Sequence, residues 1–263
     1  GAVLGVPGWR FALWLYCGFG LVIAVFFWLV VRDTPAEHPA CAAESASDSS
    51  PSRAPLAAPP LGLAEFVRSR NLALFSLVQF GTNVGWAFLI TQLPTFLTER
   101  FGVSESSRGA MASVPAWVSC VGLLLGGFVT DALARRLGVR RGRAWPIGAM
   151  MLVAAAAYLL CPLVRDPWSF VAMMALMGLA VDLANPSIWS FAQDVGGRHA
   201  GAVLGWGNMW GNIGAALSPV LLGAVKRAWG WDAAFFVAAV CFALAALAAF
   251  SLDASRTLRF DRV

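Results

Sequence analysis

The sequence predicts an all-α membrane protein of seven transmembrane helices, and three observations lead there. Apolar residues fill 59% of 263 positions, charged residues 13%, and the mean hydropathy is +0.71. A soluble domain carries roughly a quarter charged residues, so this chain lacks the polar groups to cover itself in water. A bilayer-spanning helix needs about 20 mainly apolar residues. Seven runs qualify: residues 12–31, 72–97, 110–130, 145–164, 168–190, 201–225 and 233–252. None alternates with a period of two, which argues against barrel strands, and a helix satisfies its own backbone in lipid. Away from their ends the runs hold one ionisable side chain, Asp182.

Taken in order, the first run (within a segment 1–32) follows Gly8-Trp9-Arg10 and carries Cys17. Residues 33–70 read as a flexible cytoplasmic linker. They are rich in Pro, Ala and Ser and lack hydrophobic periodicity, and they close on LGLAEFVRSR, short and mildly amphipathic. A compact set of six runs then fills residues 71–252, and 253–263 form a cytoplasmic tail. On the run 72–97, Gln79, Asn83, Trp86 and Ile90 recur at spacings of four, three and four, one helix face. Pro94, one turn beyond, is expected to bend that helix. Runs 110–130 and 145–164 flank a loop holding Arg135, Arg136, Arg140, Arg141 and Arg143. On 168–190, Asp182, Asn185 and Trp189 share a face around Pro186. The run 201–225 carries two stripes, Gly205–Asn208–Asn212–Ala215 and Gly207–Gly211–Gly214. The last run follows Gly230-Trp231-Asp232 and contains Cys241.

The basic residues set orientation. Thirteen of nineteen lie on one set of connections, which the positive-inside rule makes cytoplasmic. The C-terminus is then inside and residue 1 outside. The net charge of +5 sits between apolar runs and not on a patch, so no nucleic-acid partner is expected. The five cysteines show no CxxC spacing, which suggests small apolar packers and neither metal nor disulfide framework. No cofactor is implied. His38 and His199 both fall in connections, and with a single membrane acid the chain does not read as an enzyme. A retinal pigment needs a mid-helix lysine, whereas Lys226 sits at a span end.

The Gly-Trp openings of the first and last runs lie 222 residues apart, a period that fits two transporter halves of six helices. The first run then corresponds to helix six, with five helices expected upstream. Three stretches carry a resemblance. Gly127-Phe-Val-Thr-Asp131-Ala-Leu-Ala-Arg135-Arg136 is a degenerate copy of a Gly, three residues, Asp and paired basics. Arg32-Asp-Thr-Pro35-Ala-Glu37-His38-Pro39, followed by Glu44, is the second, and Asp194 to Pro219 (with Gly201, Gly205, Asn208, Asn212 and Ser218) is the third. Together they resemble the major facilitator superfamily, and within it the anion:cation symporters (hexuronate, glucarate and galactonate carriers). The resemblance implies helix six plus the six-helix C-terminal half of that fold. It implies a multi-pass protein of the plasma (inner) membrane, with a small organic anion such as a sugar acid, a coupling cation, membrane lipid and the N-terminal helices as partners. The activity it implies is proton- or sodium-coupled alternating access. A sensor of the same fold that binds a sugar phosphate without transporting it is the alternative.

Substrate sites of such carriers lie near the bilayer midplane on helices interrupted by Gly or Pro. Amides in mid-helix are costly to leave unpaired in lipid. Asn208 and Asn212 therefore lead the candidates for substrate contact, with Asn83, Gln79, Asn185, Trp86 and Trp189 behind them. The Gly207–Gly211–Gly214 stripe reads as helix packing. Asp182, an intramembrane carboxylate, is the coupling candidate. Gly127, Asp131, Arg135 and Arg136 form a candidate conformational latch, while Arg140 to Arg143 are expected only to fix topology and touch anionic lipid. No Arg or Lys lies within a span, so these helices offer a carboxylate substrate no cation.

Overall fold

Backbone that must satisfy its own hydrogen bonds away from water is driven into helix, and helix dominates the computed structural model, which describes residues 2–3, 6–32 and 62–257. The chain divides into two units, Gly1–Ala57 and Ala58–Val263. In the first, a two-residue antiparallel ladder (β1, Ala2–Val3; β2, Val6–Pro7) precedes helix α1, Gly8–Val30. No residue of α1 is buried, and Trp28 is 77% exposed. Such a surface is compatible with lipid and not with water.

The second unit contains α2 (Leu63–Arg68), α3 (Arg70–Thr91), α4 (Leu93–Phe101), α5 (Glu105–Leu160), α6 (Pro167–Gly196) and α7 (Ala200–Phe250). Among the described residues, four helical stretches are long and apolar enough to cross a membrane: Gly8–Val30, Arg70–Thr91, Glu105–Leu163 and Pro167–Phe250. Helix α2 lies inside the segment 33–70 expected as linker. Residues 33–61 of that segment, with Pro35, Glu37, His38, Pro39, Cys41 and Glu44, lie outside the described residues.

Glycine and proline decide where the long helices break. Gly138 (φ 77°, ψ 166°) and Gly230 (φ 84°, ψ 179°) adopt dihedrals essentially reserved for glycine, interrupting α5 and α7. Gly142 packs on the Ala134 backbone, eight residues that a straight helix would hold about 12 Å apart, so the chain reverses at Gly138. The run 72–97 is not one bent helix, as the sequence suggested. It is cut at Gln92, and Pro94 sits in the first turn of α4. There its missing N–H leaves no ladder bond unmade, so it starts a helix where an interior position would have kinked one.

Lipid gives helices no hydrophobic reason to associate, so close packing and hydrogen bonds must hold them. On α5, Met111, Pro115, Ser119, Gly122, Gly126 and Thr130 are buried at intervals of three or four. A Cβ on Gly122 would lie 2.6 Å from the Leu179 carbonyl oxygen of α6, and one on Gly126 2.5 Å from that of Leu183. Thr130 and Ser187 close this seam through a buried hydroxyl pair at 2.7 Å. The Gly207–Gly211–Gly214 stripe is buried against α3, on Phe75, Asn83 and the Phe80 backbone. Ser218 donates to the Val84 carbonyl (2.6 Å), Tyr158 to that of Gly85 (2.7 Å), and the Trp206 indole to the Ser76 hydroxyl (2.8 Å). Of the cysteines, Cys161 is buried and Cys241 half-buried, but Cys17 and Cys120 are exposed on apolar helices.

Candidate substrate-binding face

Helix α7 carries three stripes with different chemistry. The glycine stripe is buried. A second, exposed stripe of Met209, Ile213 and Val220 is large and aliphatic, suited to acyl chains. The third, Gly201, Gly205, Asn208, Asn212 and Ala216, is also exposed but small and amide-bearing. Asn212 Nδ2 donates to the Asn208 carbonyl at 2.8 Å, and among the described residues the Asn208 amide has no partner. Two amides facing hydrocarbon would each lack hydrogen bonds that water or a polar ligand supplies.

The expected site residues fall into two groups and not one. In the first, Gln79 is buried, and half-buried Asn83 donates its amide to the Gln79 carbonyl at 2.8 Å. Asn83 Nδ2 would stand 2.7 Å from a Cβ on Gly211, so the Asn83 amide meets the buried glycine stripe of α7, next to the stripe that carries Asn208 and Asn212. Trp86 is half-buried and packs on the apolar core. The second group sits on the α5–α6 seam. Asn185 Nδ2 donates to Asp182 Oδ1 at 2.8 Å, and the buried Ser119 hydroxyl lies beside the same carboxyl. Trp189 is 48% exposed and outside the core.

At the arginine-rich end the pairing differs from expectation. Asp131 is exposed, and among the described residues neither it nor Arg135 or Arg136 forms an ion pair. Arg143, expected only to fix topology, instead meets Asp194 with Nε and Oδ2 2.9 Å apart, their side chains 13% and 30% exposed. The reason is the reversal at Gly138. Arg135, one turn from Asp131, points into high dielectric where a pair gains little. Arg143 is carried back against the end of α6, where the attraction is less screened.

A second charged node follows α7. Asp253 Oδ2 lies 3.3 Å from Arg256 and 3.6 Å from Arg140. The Ser255 hydroxyl, with the two guanidiniums behind it, holds the Asp253 carboxyl below its ordinary range. At the opposite end Lys226 Nζ sits 2.6 Å from Glu99 Oε2 and 4.2 Å from the Trp231 ring centre, while the Trp231 indole donates to Glu99 at 3.2 Å. The Lys226 hydrogen bond lowers the Glu99 carboxyl from its ordinary 4.5. The Gly-Trp opening of α1 has its own cation over a ring, Arg10 5.0 Å from Trp9.

Sequence reasoning missed Arg143–Asp194, Glu99–Lys226 and Thr130–Ser187. A usable signal existed for the last, since Thr130 continues the spacing of Gly122 and Gly126. The ion pairs join residues 51 and 127 positions apart, which no local pattern reports.

The chain is 27% identical over 238 residues to "Probable galactarate/D-glucarate transporter GudP" of Escherichia coli, 85% of this chain and 52% of that protein. It is 26% identical to "Probable sulfoacetate transporter SauU" of Cupriavidus necator (95% and 59%) and 24% identical to "Hexuronate transporter" of Bacillus subtilis (91% and 57%). It thus spans about half the length of the curated relatives it matches. The sequence model of the Major Facilitator Superfamily matches residues 1–219 and, in a second register, 75–261. With most of its length covered by that model, in a fold dominated by long apolar helices, the chain belongs to the Major Facilitator Superfamily.

Proposed function

We propose that this chain supplies the C-terminal half, with helix six, of a secondary active transporter for a small organic anion such as a sugar acid. On this reading residues 1–32 are helix six, 33–70 the cytoplasmic linker, 71–252 the six-helix half and 253–263 the cytoplasmic tail in the inner membrane. The breaks at Gly138, Gly197 and Gly230, which divide two of the four long apolar stretches, support seven crossings. The observation that carries the reading is the exposed stripe of Asn208 and Asn212, separate from the aliphatic face of the same helix. Amides there are tolerated only against a wet pathway, and a second half would close over it. The names of the relatives supply the substrate class. Gln79 and Asn83 extend the pathway onto α3, with Trp86 behind them, and Asn185 and Trp189 belong to its α6 wall. Asp182 is the group that couples transport to a proton or sodium gradient. The Arg143–Asp194 pair and, in the other conformation, Asp131 with Arg135 and Arg136 below Gly127 act as alternating latches.

The test is uptake of labelled glucarate by the complete carrier in inverted or right-side-out vesicles. Asn208→Ala with Asn212→Ala is expected to raise KM about tenfold, the loss of one to two hydrogen bonds to a charged ligand. Asp182→Asn is expected to abolish stimulation by an imposed ion gradient. Unchanged KM in the first variant removes the amides from the site, and unchanged gradient dependence in the second removes Asp182 from coupling.

A further inference from the structure

At the arginine-rich end of the second unit, well away from the amide stripe, a cavity of about 830 Å³ opens beside the start of α3, the segment after Gly138 and the residues following α7. Arg70, Arg140 and Arg256 line it against one carboxylate, Asp253. Its floor is fixed, because Asn71 donates to the Asp253 carbonyl at 2.8 Å and accepts from the Asp253 N–H at 3.1 Å. The Arg140 and Arg256 side chains remain 66% and 81% exposed while touching Asp253, and among the described residues Arg70 forms no ion pair. The cavity therefore presents guanidinium donors in excess of the acid available to them, which is the chemistry of an oxyanion site.

That cavity does not end in solvent alone. Phe250 lines it and also lines a groove of about 650 Å³ walled only by apolar side chains, among them Val129, Leu133, Met150 and Leu183. A smaller recess of about 170 Å³, bounded by Arg140, Arg141, Trp145 and Phe250, shares lining residues with both. Trp145 borders both the recess and the groove, the position an amphipathic ring takes between headgroup and acyl region. A basic pocket alone would accept any phosphate, and an apolar groove alone any acyl chain. Joined through shared residues, they select a molecule with both parts.

We infer that this composite site holds one anionic phospholipid, its phosphate on Arg70, Arg140 and Arg256 and one acyl chain along the groove. Occupancy ties the start of α3, the Gly138 turn and the end of α7 together, so bound lipid stabilises this end of the bundle.

The test is native mass spectrometry of the purified full chain, released from detergent after incubation with phosphatidylglycerol or phosphatidylcholine of matched acyl chains. The wild type is expected to retain phosphatidylglycerol in preference. The double variant R70Q/R140Q is expected to lose that preference by about fivefold per arginine. Ala149→Trp fills the groove and is expected to lower phosphatidylglycerol retention with both arginines in place. Arg68→Gln, exposed and outside the cavity, controls for loss of any surface charge and should bind as wild type. Equal retention of the two lipids, or undiminished retention by R70Q/R140Q, overturns the site. Displacement of phosphatidylglycerol by equimolar glycerophosphoglycerol, or by inorganic phosphate, would make it a free-anion site and overturn the lipid assignment.

Discussion

Arg143 and Asp194 meet at 2.9 Å with the guanidinium mostly enclosed and one of its buried nitrogens, Nη1, making no hydrogen bond. A pair in that setting is worth more than a surface bridge, yet its worth depends on both members staying. Arg143→Gln leaves Asp194 beside apolar surface and is expected to cost about 1–3 kcal/mol, read as a fall in Tm in detergent. The swapped variant Arg143→Asp with Asp194→Arg should recover part of it, and a Tm unchanged by Arg143→Gln would contradict the pairing. Glu99 behaves differently because it is far more exposed. Its carboxyl titrates below 4.5 in the folded chain, so the Lys226 pair contributes stability above 4.5 that disappears as pH falls through the lowered value. Glu99→Gln should therefore lower Tm slightly at pH 7 and by less at pH 3. A gap of equal size at both values would show that the bridge's charge is not what the substitution removed.

At the scale of the element, the breaks matter more than the helices. Gly138→Ala places a Cβ on a backbone conformation that only glycine holds easily, and a loss of about 1–3 kcal/mol is expected. The Tm of Gly138→Ala against that of Gly127→Ala, a helical site with open space for a Cβ, isolates strain from crowding. Equal behaviour would mean that the turn tolerates side chains. Helix as a class was legible because long apolar runs in lipid have no other way to satisfy backbone groups. The packing role of Gly207, Gly211 and Gly214 was legible for a similar reason, since small residues at helical spacing have few other uses. The Gln92 break was not. A proline one turn from a helix end reads equally as a kink or as a new first turn, and tertiary contacts around Leu93, Phe96 and Leu97 decide between them.

Across the whole molecule, the candidate site was legible as a set of residue types and illegible as a geometry. Mid-helix amides announce themselves by their cost, so Asn83, Asn208 and Asn212 could be named. Which of them share a seam depends on the order in which helices pack, and so Asp182 and Asn185 fall on α5–α6 while Gln79 and Asn83 fall on α3–α7. The ion pairs were hidden for the same reason. The charge left over at the arginine-rich end, where Arg143 and Arg140 find acids but Arg70 does not, also emerges only when the chain is folded. The proposed transport turns on the small, amide-bearing stripe of α7 facing water inside a carrier while the neighbouring aliphatic stripe faces lipid. Single cysteines at Asn208, Asn212, Met209 and Ile213 in a cysteine-free complete carrier, exposed to a membrane-impermeant maleimide, test this directly. Labelling at positions 208 and 212, slowed by substrate, with none at 209 and 213, is the expected result. Labelling that fails at both amide positions, or that is as fast at 213 as at 212, would contradict it.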